Sequence, residues 1–597
     1  MSGSSRKKEP GSSSSEAILV WLCVGLVVLT LGTVWVCMHA GHALAGTGAA
    51  LPLNPFDVAF GLAKGSLAWP GTWGWVVLGT LAALVVAAIV AVSALVSKRA
   101  KKRTRVDRAA THMGRGRDVA DVSHKSAAAK AKRMGIASSP GVAIGKTVAG
   151  GQLLYGSWED MHIDIWGPRT GKTTSRAVPA ILDAPGAVLV TSNKRDIVDA
   201  SRLPREERGP VWVFDPQSIA AEEPNWWWNP LSYVTDEVKA AELASHFAAG
   251  SRDASAKTDA YFDGEGQDLL AGLLLAAALD DRPITQVYMW IADSTDDEPV
   301  EILREHNFPL QSAQVAGVVN APEKQRGGVY GTARQMASCL TNRQVLRWIT
   351  PTGPDDERPQ FSPDDFVRAG GTLYSLSKEG RGTAGPLVTA LTVAVVDAAE
   401  NLAVTSPGGR LKTPMLAVLD EAANVCRWAQ LPNLYSHYGS RGIVIMTILQ
   451  SWSQGCEVWG EAGMKKLWSA SNVAVYGGGV KESAFLEDLS RIIGDYERIS
   501  TSTSTSKGQR SVSRQSQKER ILDVADLAAM PKGRAVVLAS GSRPTLVTTQ
   551  PWMSGPHREA VEASIRKYDP AANQTIHDAH AEREAVEADL AQEGSAR

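Results

Sequence analysis

Residues 167–174 read Gly-Pro-Arg-Thr-Gly-Lys-Thr-Thr, and these residue types in this order can hold the phosphates of a nucleotide. The apolar residues 162–166 precede them and predict a short buried strand, and a helical pattern begins at Ser175. A turn between strand and helix presents successive N–H groups to anionic oxygen atoms. In such a turn Lys172 would neutralise the β- and γ-phosphates, and Thr173 would hold Mg²⁺. The predicted phosphate-binding residues are Gly167, Pro168, Arg169, Thr170, Gly171, Lys172, Thr173 and Thr174.

One position departs from the strict P-loop pattern. The sequence G-x-x-x-x-G-K-[ST] would place its first glycine at position 166, which is Trp166 here. The Gly-Lys-Thr triplet still lies between a predicted strand and a predicted helix, which is the context that a P-loop requires. The alternative is a Gly-Lys-Thr turn that arose by chance.

Two carboxylates, Asp420 and Glu421, follow a second apolar run at residues 415–419. In P-loop NTPases such an aspartate holds Mg²⁺, and the adjacent glutamate polarises the attacking water. A third apolar run, at residues 443–449, ends in Gln450, which could sense the γ-phosphate or be an ordinary polar residue at a strand end. Arg441 precedes this run and could be an arginine finger or a surface residue. The predicted catalytic residues are Glu421, Lys172, Gln450 and Arg441, and the predicted metal ligands are Thr173 and Asp420.

Several elements must position these residues. Short apolar runs at residues 187–191 and 211–214 also end in polar residues, with helical stretches between them. Strands of this kind predict a parallel sheet whose functional edge lies at the carboxyl ends of the strands. Residues 235–350 contain helical patterns such as QDLLAGLLLAAAL and few strand signals. The predicted fold class is therefore α/β.

Two uncharged apolar segments, residues 17–38 and 73–96, are each long enough to cross a hydrocarbon core of about 30 Å. Basic residues precede the first segment and follow the second, and the loop between them has one, Lys64. The positive-inside rule then places both termini in the cytoplasm. The alternative is a cleaved signal peptide, because residues 43–45 resemble a cleavage site, but the first segment exceeds a usual signal-peptide core.

Composition narrows the remaining possibilities. The net charge of −1 gives no support for nucleic-acid binding by the whole chain, so any basic surface must be local. Residues 98–133 are basic, and we interpret them as a solvated linker on anionic lipid; the alternative is a collar that contacts DNA phosphates. The five cysteines form no CxxC motif, which argues against a disulfide framework or a zinc site.

Taken together, the motifs GPRTGKTTSRAVPAIL, VLVTSNKRDIV, VWVFDPQ and AVLDEAANV resemble those of the type IV secretion coupling proteins, the TraG/TraD-like conjugative ATPases related to FtsK-type DNA translocases. The most specific element is the Asp-Glu pair followed by the run SRGIVIMTILQS. The resemblance implies a RecA/Rossmann-like ATPase domain with an inserted all-α domain, ATP and Mg²⁺ as cofactors, and a hexameric ring. Many family members carry another arginine two residues before Arg441, where this sequence has Gly439.

By this resemblance the chain is a multi-pass protein of the bacterial inner membrane with a cytoplasmic ATPase domain. It would act as a homo-hexamer, recruit single-stranded DNA with its relaxase, and pump the DNA to a type IV secretion channel. The alternatives are an ATPase that secretes protein effectors, an FtsK-like translocase of double-stranded DNA, and a nucleotide-binding membrane scaffold. The Asp-Glu pair argues against the scaffold, but the motor residues do not separate DNA from protein as cargo.

The predicted organisation is a disordered N-terminus (1–16), a transmembrane hairpin (17–96), a basic linker (97–135), an ATPase domain (136–234 and 351–560), an inserted helical domain (235–350) and a charged C-terminal helix or tail (561–597). For the three tryptophans at 226–228, core packing is favoured over stacking on single-stranded DNA. Residues 499–519 favour a flexible hairpin tip or loop over a DNA-facing pore loop. Residues 572–597 are interpreted as an acidic solvated tail that can bind a partner.

Overall fold

The computed structural model describes residues 13–101, 104–251, 259–378, 383–506 and 509–592. The chain divides into two compact units, one that ends at Lys102 and one from Arg103 to Glu593. Residues 1–12 of the predicted disordered N-terminus lie outside the described residues.

The described part of the first unit contains α1 (Ser13–Ala45), α2 (Pro55–Ala63) and α3 (Gly71–Lys101), and α1 packs against α3. The predicted spans lie within α1 and α3. Two stretches, Val27–Ala45 and Gly71–Ala88, are long and apolar enough to cross a membrane. Apolar side chains such as Leu84 and Val86 are exposed. Such a surface is unfavourable in water and suits contact with lipid.

The second unit contains the other elements of the described chain. In chain order they are α4 (Arg105–Ala109), α5 (His124–Arg133), β1 (Val142–Thr147), β2 (Leu153–Gly156), β3 (His162–Ile165), α6 (Val178–Asp183), β4 (Val188–Ser192), α7 (Asp196–Glu206), β5 (Val211–Phe214), α8 (Glu237–Ser251), α9 (Ala260–Leu279), α10 (Ile284–Ala292), α11 (Glu298–Glu305), α12 (Pro309–Val319), α13 (Glu323–Met336), α14 (Arg343–Ile349), α15 (Pro363–Ala369), β6 (Thr372–Leu376), α16 (Gly385–Thr405), β7 (Met415–Leu419), α17 (Ala422–Val425), α18 (Leu431–Arg441), β8 (Ile443–Leu449), α19 (Trp452–Ala470), β9 (Val473–Tyr476), α20 (Ser483–Ile493), β10 (Asp495–Ser506), β11 (Gln509–Arg520), α21 (Val524–Ala528), β12 (Arg534–Ala539), β13 (Thr545–Thr548), α22 (Arg558–Tyr568) and α23 (Ala572–Gln592).

Eleven of the described strands form one mixed sheet in the order β2-β1-β13-β12-β9-β3-β8-β7-β4-β6-β5. The strands from β9 to β5 in this order are parallel, and β12, β13, β1 and β2 extend the sheet in antiparallel fashion. The parallel strands are buried apolar runs, as expected for a sheet covered on both faces. Their carboxyl ends meet at one edge, which is where the predicted site residues follow the strands.

Helix α16 is a third stretch that is long and apolar enough to span a membrane, but most of it is buried inside the second unit. It packs against α8, α15 and the strands β4, β6 and β8. A helix that is apolar on all sides can be either a membrane span or a buried core helix. Its packing makes α16 a core helix.

Between β5 and β6 the chain is helical. Helix α9 lies at the centre of this insert, and α8, α10, α11, α12 and α13 contact it. The helices α8 to α14 fall within the predicted helical insert of residues 235–350. Leu270, Leu273 and Leu274 of α9 are fully buried, which gives the insert an apolar centre.

Two of the three tryptophans at residues 226–228 pack in the core, and Trp227 between them is half-buried. Trp226 is 3% exposed and Trp228 is fully buried. Trp226 makes edge-on ring contacts with Trp212 and Trp348. The rings of Trp226 and Trp228 therefore have no free face for a nucleotide base, which supports core packing over stacking on DNA.

Residues 104–133 differ from the expected solvated linker. Val106, Met113 and Val122 are buried, and the carboxylate of Asp107 forms a buried bidentate pair with Arg534 of β12 at 2.6 and 3.0 Å. The high density of basic residues conceals these apolar positions in the sequence. The segment is therefore part of the second unit from Thr104 onward.

The first part of the predicted charged C-terminal helix or tail (561–597) is packed on the second unit. Val561 and Ile565 of α22 are buried where α22 packs against α7, and the hydroxyl of Tyr568 donates to Glu206 at 2.6 Å. Helix α23 follows and packs against α22. Residues 499–519 lie mostly in the two-stranded hairpin β10–β11, and residues 507 and 508 at its turn lie outside the described residues.

Candidate nucleotide-binding site

The predicted P-loop is a tight turn between β3 and a single turn of π-helix, Thr173–Ala177. Arg169 (φ 58°) and Gly171 (φ 88°) both adopt left-handed backbone conformations. The hydroxyl of Thr170 donates to the carbonyl of Gly167 at 2.6 Å and closes the turn. A turn in which left-handed residues alternate with others directs backbone N–H groups towards one concavity, which is how such loops hold phosphate. The local structure thus supports the predicted phosphate cradle.

Trp166 occupies the position of the missing first glycine because a second loop makes room for its ring. Its indole ring is fully buried, and its backbone N–H donates to the carbonyl of Leu449 at 2.9 Å, directly after the ladder between β3 and β8. A Cβ added to Gly477 would lie 2.0 Å from this ring. The N–H of Gly167 donates to the carbonyl of Gly478 at 2.9 Å. The three glycines at 477–479, which the sequence analysis did not single out, therefore support the P-loop.

We expect Trp166→Ala to lower the free energy of unfolding by about 3–5 kcal/mol, because it empties a buried site. Gly477→Ala should cost at least about 1–3 kcal/mol, because the new methyl group displaces the ring of Trp166. In the Trp166→Ala background the same glycine substitution should cost much less. Thermal unfolding of the four chains in detergent, followed by circular dichroism, measures this coupling. Additive effects of the two substitutions would contradict the contact.

Asp420 and Glu421 follow β7 and lie directly against Lys172. The Nζ atom of Lys172 is 3.1 Å from Oδ1 of Asp420 and forms a close hydrogen-bonded ion pair with Oε1 of Glu421. Both carboxylates are 3% exposed. Burial lowers the pKa of Lys172, but the negative charges of Asp420 and Glu421 outweigh burial and raise that pKa above its ordinary value. The lysine is therefore held protonated beside the acidic pair.

Gln450 completes this cluster. Its side-chain N–H₂ lies 2.8 and 2.7 Å from the two carboxylate oxygens of Glu421, to which it donates. The backbone N–H of Gln450 donates in turn to Gln454 at 3.1 Å, and the carboxylate of Glu482 accepts from the first N–H groups of α19 at 2.9 and 3.0 Å. Gln454 and Glu482 carry no local signal in the sequence. Only the tertiary structure brings them to the strand end.

The residues present fit a magnesium ion. Oδ1 of Asp420 is buried, and its partner among the described residues is the ammonium of Lys172 at 3.1 Å. Burial raises the pKa of Asp420, against the opposing charge of Lys172. A buried carboxylate that is neutralised only by a lysine suits a hard cation, which prefers oxygen ligands and can replace the charge of that lysine. Thr173 follows Lys172 at the start of the π-turn and can supply a hydroxyl oxygen.

Arg441 lies away from this cluster in the same chain. It is the last residue of α18, before β8 begins, and its guanidinium donates to the carbonyl of Gly409 at 3.2 Å. Gln450 follows the other end of β8. At about 3.3 Å per residue, this strand separates the two residues by more than about 20 Å. Among the predicted catalytic residues, the structure brings together Lys172, Glu421 and Gln450 but not Arg441.

Position 439 has no space for a second arginine. A Cβ added to Gly439 would lie 2.4 Å from the carbonyl oxygen of Glu159. The carboxylate of Glu159 forms ion pairs with Arg133 at 3.3 Å and with Arg410 at 2.5 Å. The departure from the family pattern at position 439 is therefore accommodated by close packing of the backbone.

The fold and this site define a class. The P-loop turn follows β3, and the acidic pair follows β7, two strands away in the same parallel sheet. Together with the helical insert, these are the features of a RecA-like α/β P-loop fold with an all-α domain, which the family resemblance implies. The predicted α/β class is thus confirmed.

Comparison with known proteins gives a more specific relationship. Residues 414–532 match the family model described as the TraM recognition site of TraD and TraG. This segment contains the acidic pair and Gln450. The predicted resemblance to the TraG/TraD-like coupling proteins is confirmed here. No curated protein sequence matches the chain.

Three solved structures are similar to this chain. The bacterial conjugative coupling protein TrwBdeltaN70, in a trigonal form in complex with sulphate, is 17% identical, covers 71% of this chain and 92% of its own, and has a TM-score of 0.50. The plasmid coupling protein TrwB in complex with ADP and Mg²⁺ is 19% identical over 71% and 92% of the two chains, with a TM-score of 0.49. VirB4 of Thermoanaerobacter pseudethanolicus is 13% identical over 70% and 98%, with a TM-score of 0.42.

Proposed function

We propose that this chain is a membrane-anchored ATPase that drives DNA to a type IV secretion channel. The observation that carries the proposal is the cluster in which Lys172 contacts both Asp420 and Glu421. The carboxylates lie in the segment that matches the TraD and TraG family model. A protonated lysine beside a buried acidic pair, at the end of a P-loop, is an arrangement suited to triphosphate hydrolysis.

When ATP binds, its phosphates replace the acidic pair as the partner of Lys172. In the structure the ammonium of Lys172 neutralises Asp420 and Glu421, and a triphosphate in the cradle offers it a stronger negative charge. Once released, Glu421 can polarise a water molecule beside the γ-phosphate. Gln450 donates to Glu421 and can hold its carboxylate in place as the lysine moves. Asp420 and Thr173 would hold Mg²⁺, which neutralises charge on the phosphate oxygens.

Arg441 would act in trans. Because it lies at the opposite end of β8 from Gln450, it can reach a nucleotide only in a neighbouring copy of the chain. We propose that six copies form a ring in which Arg441 of one copy completes the site of the next. Arg441→Ala should then lower ATP turnover without weakening ATP binding. Unchanged turnover in the assembled ring would remove Arg441 from this role.

The anchor places the motor at a membrane. The stretches Val27–Ala45 and Gly71–Ala88 would span the bilayer, with both termini in the cytoplasm. This topology puts the ATPase site on the side where ATP is present. We propose the bacterial inner membrane as the location and the type IV channel proteins as neighbours.

Transfer of DNA between cells tests whether DNA is the cargo. Transfer of a marked plasmid or integrated element from cells with this chain should fall to background in cells that carry Lys172→Ala at equal membrane abundance. ATP turnover of the full chain in lipid nanodiscs should rise when single-stranded DNA is added. Loss of transfer with no stimulation by single- or double-stranded DNA would favour protein effectors as cargo. Undiminished transfer by the Lys172→Ala chain would overturn the motor proposal.

A further inference from the structure

Helix α23 carries a half-buried stripe that faces the second unit. Ile576, Ala579, Arg583, Val586 and Leu590 are partly buried, whereas most residues between them are exposed. Their spacing alternates between three and four residues, which places them on one side of a helix. The helix is therefore docked through one face rather than solvated on all sides.

Specific contacts fix where this face lies. A Cβ added to Gly533 would lie 2.9 Å from Cγ1 of Val586 and 3.7 Å from Cδ1 of Leu590, so the helix passes close over the turn that leads into β12. The ammonium of Lys532 pairs with Glu582 at 3.2 Å. The imidazole of His580 is 3.0 Å from Glu562 of α22. Contacts at several points along α23 set its position and its rotation.

A cavity of about 830 Å³, including its open mouth, lies between α23 and the P-loop. Thr170, Gly171 and Thr174 of the P-loop region form one wall. Val586 and Leu590 of α23 form the facing wall. The segment from β13 to the following loop closes the third side, with Thr549, Gln550, Pro551 and Met553. The cavity thus opens directly from the cradle in which the phosphates would lie.

The lining suits the nucleoside part of a nucleotide. Apolar side chains such as Met553, Val586 and Leu590 can pack on the face of a planar base. Polar groups at Thr549, Gln550 and Glu582 are available for the base edge or the ribose hydroxyls. A few polar groups in a mainly apolar pocket of this size are typical of small-ligand sites.

We propose that α23 forms one wall of the pocket for the base and ribose of the nucleotide that binds the P-loop. The inference rests on the proposed function, because it needs a triphosphate at Lys172. The base then bridges the P-loop and the C-terminal helix, so bound nucleotide holds α23 in its docked position. Inorganic tripolyphosphate, which has no base or ribose, would not contact α23.

The double substitution Val586→Asp and Leu590→Asp tests this wall. Binding of Mg²⁺·ATP and of Mg²⁺·tripolyphosphate to the full chain in detergent is measured by isothermal titration calorimetry. We expect ATP affinity to fall about tenfold and tripolyphosphate affinity to stay within about twofold. The matched control is Ala585→Asp with Ala588→Asp on the exposed side of the same helix. It adds the same charge and should leave both affinities unchanged.

Each other outcome is decisive. Unchanged or increased ATP affinity in the Val586/Leu590 variant would overturn the pocket, as would an equal loss for ATP and tripolyphosphate, which would indicate a general effect on the P-loop. An unsubstituted chain that binds tripolyphosphate as tightly as ATP would also overturn it. If the unsubstituted chain binds neither compound, the proposed ATPase function fails as well. Photolabelling with 8-azido-ATP should mark residues 572–592, and excess ATP should prevent the label.

Discussion

The substitution Glu421→Gln should stop ATP turnover and leave the nucleotide bound. The carboxylate of Glu421 is the group placed to accept a proton from water, and an amide of nearly the same shape cannot accept it. Loss of a positioned general base lowers a rate by about 10²- to 10⁴-fold. The substitution also removes the negative charge that competes with phosphate for Lys172. ATP affinity should therefore be retained or increased.

Lys172→Ala should behave differently from Glu421→Gln. It removes the cation from the cradle and leaves Asp420 and Glu421 as buried charges without their partner. Both ATP binding and turnover should be lost, because the phosphates then approach an uncompensated acidic pair. Calorimetric ATP affinity and steady-state phosphate release, measured on the full chain in nanodiscs, separate the two variants.

A matched control is Glu400→Gln, which neutralises a partly exposed carboxylate on α16 that pairs with His437. Its turnover and ATP affinity should equal those of the unsubstituted chain. Full turnover by the Glu421→Gln chain would refute the assigned role of Glu421. A loss of ATP affinity as large as that of Lys172→Ala would show that Glu421 supports the cradle rather than the chemistry.

The parts of the nucleotide-binding site that could be predicted are those encoded in short continuous segments of the sequence. The turn at residues 167–174 and the Asp420-Glu421 pair each lie in a continuous segment that joins an apolar strand to polar residues. Parallel strands put their carboxyl ends at one edge, so the meeting of these segments follows from their order along the chain. The contact of Gln450 with Glu421 follows from the same rule, because β8 lies beside β7.

Features that depend on distant partners could not be predicted. Trp166 departs from the P-loop pattern, and only its packing on Gly477 explains why the turn still forms. The stripe on α23 was obscured by the exposed acidic residues between its members. Residues 104–133 were misjudged because their charges outnumber the apolar side chains that they bury. In α23 and in residues 104–133 the local composition described the solvent-exposed face and gave no information on the buried face.

A buried ion pair behind the P-loop should contribute as much to stability as the buried ring of Trp166. Arg176 lies one turn after Lys172, and both Arg176 and Asp164 of β3 are fully buried. The guanidinium donates to the carboxylate at 2.7 and 3.2 Å, and it also donates to the carbonyl of Ala143 in β1. These contacts tie the π-turn to two strands. Arg176 is therefore a positioning residue for Lys172.

Arg176→Met should lower the free energy of unfolding by about 3–5 kcal/mol, because it leaves the charge of Asp164 buried without a partner. The double substitution Arg176→Met with Asp164→Leu removes both charges. Since a well-packed apolar pair can replace a buried ion pair at little cost, the double variant should be more stable than the single variant. Thermal unfolding in detergent measures both effects.

ATP binding then distinguishes positioning from stability alone. If the ion pair orients the π-turn, the double variant should fold but bind ATP more weakly than the unsubstituted chain, because Lys172 is no longer held at a fixed distance from β3. A loss of about tenfold corresponds to 1.4 kcal/mol. A double variant with unchanged ATP affinity would restrict the pair to a structural role. A double variant less stable than Arg176→Met alone would contradict the argument that the unpaired carboxylate is the source of the loss.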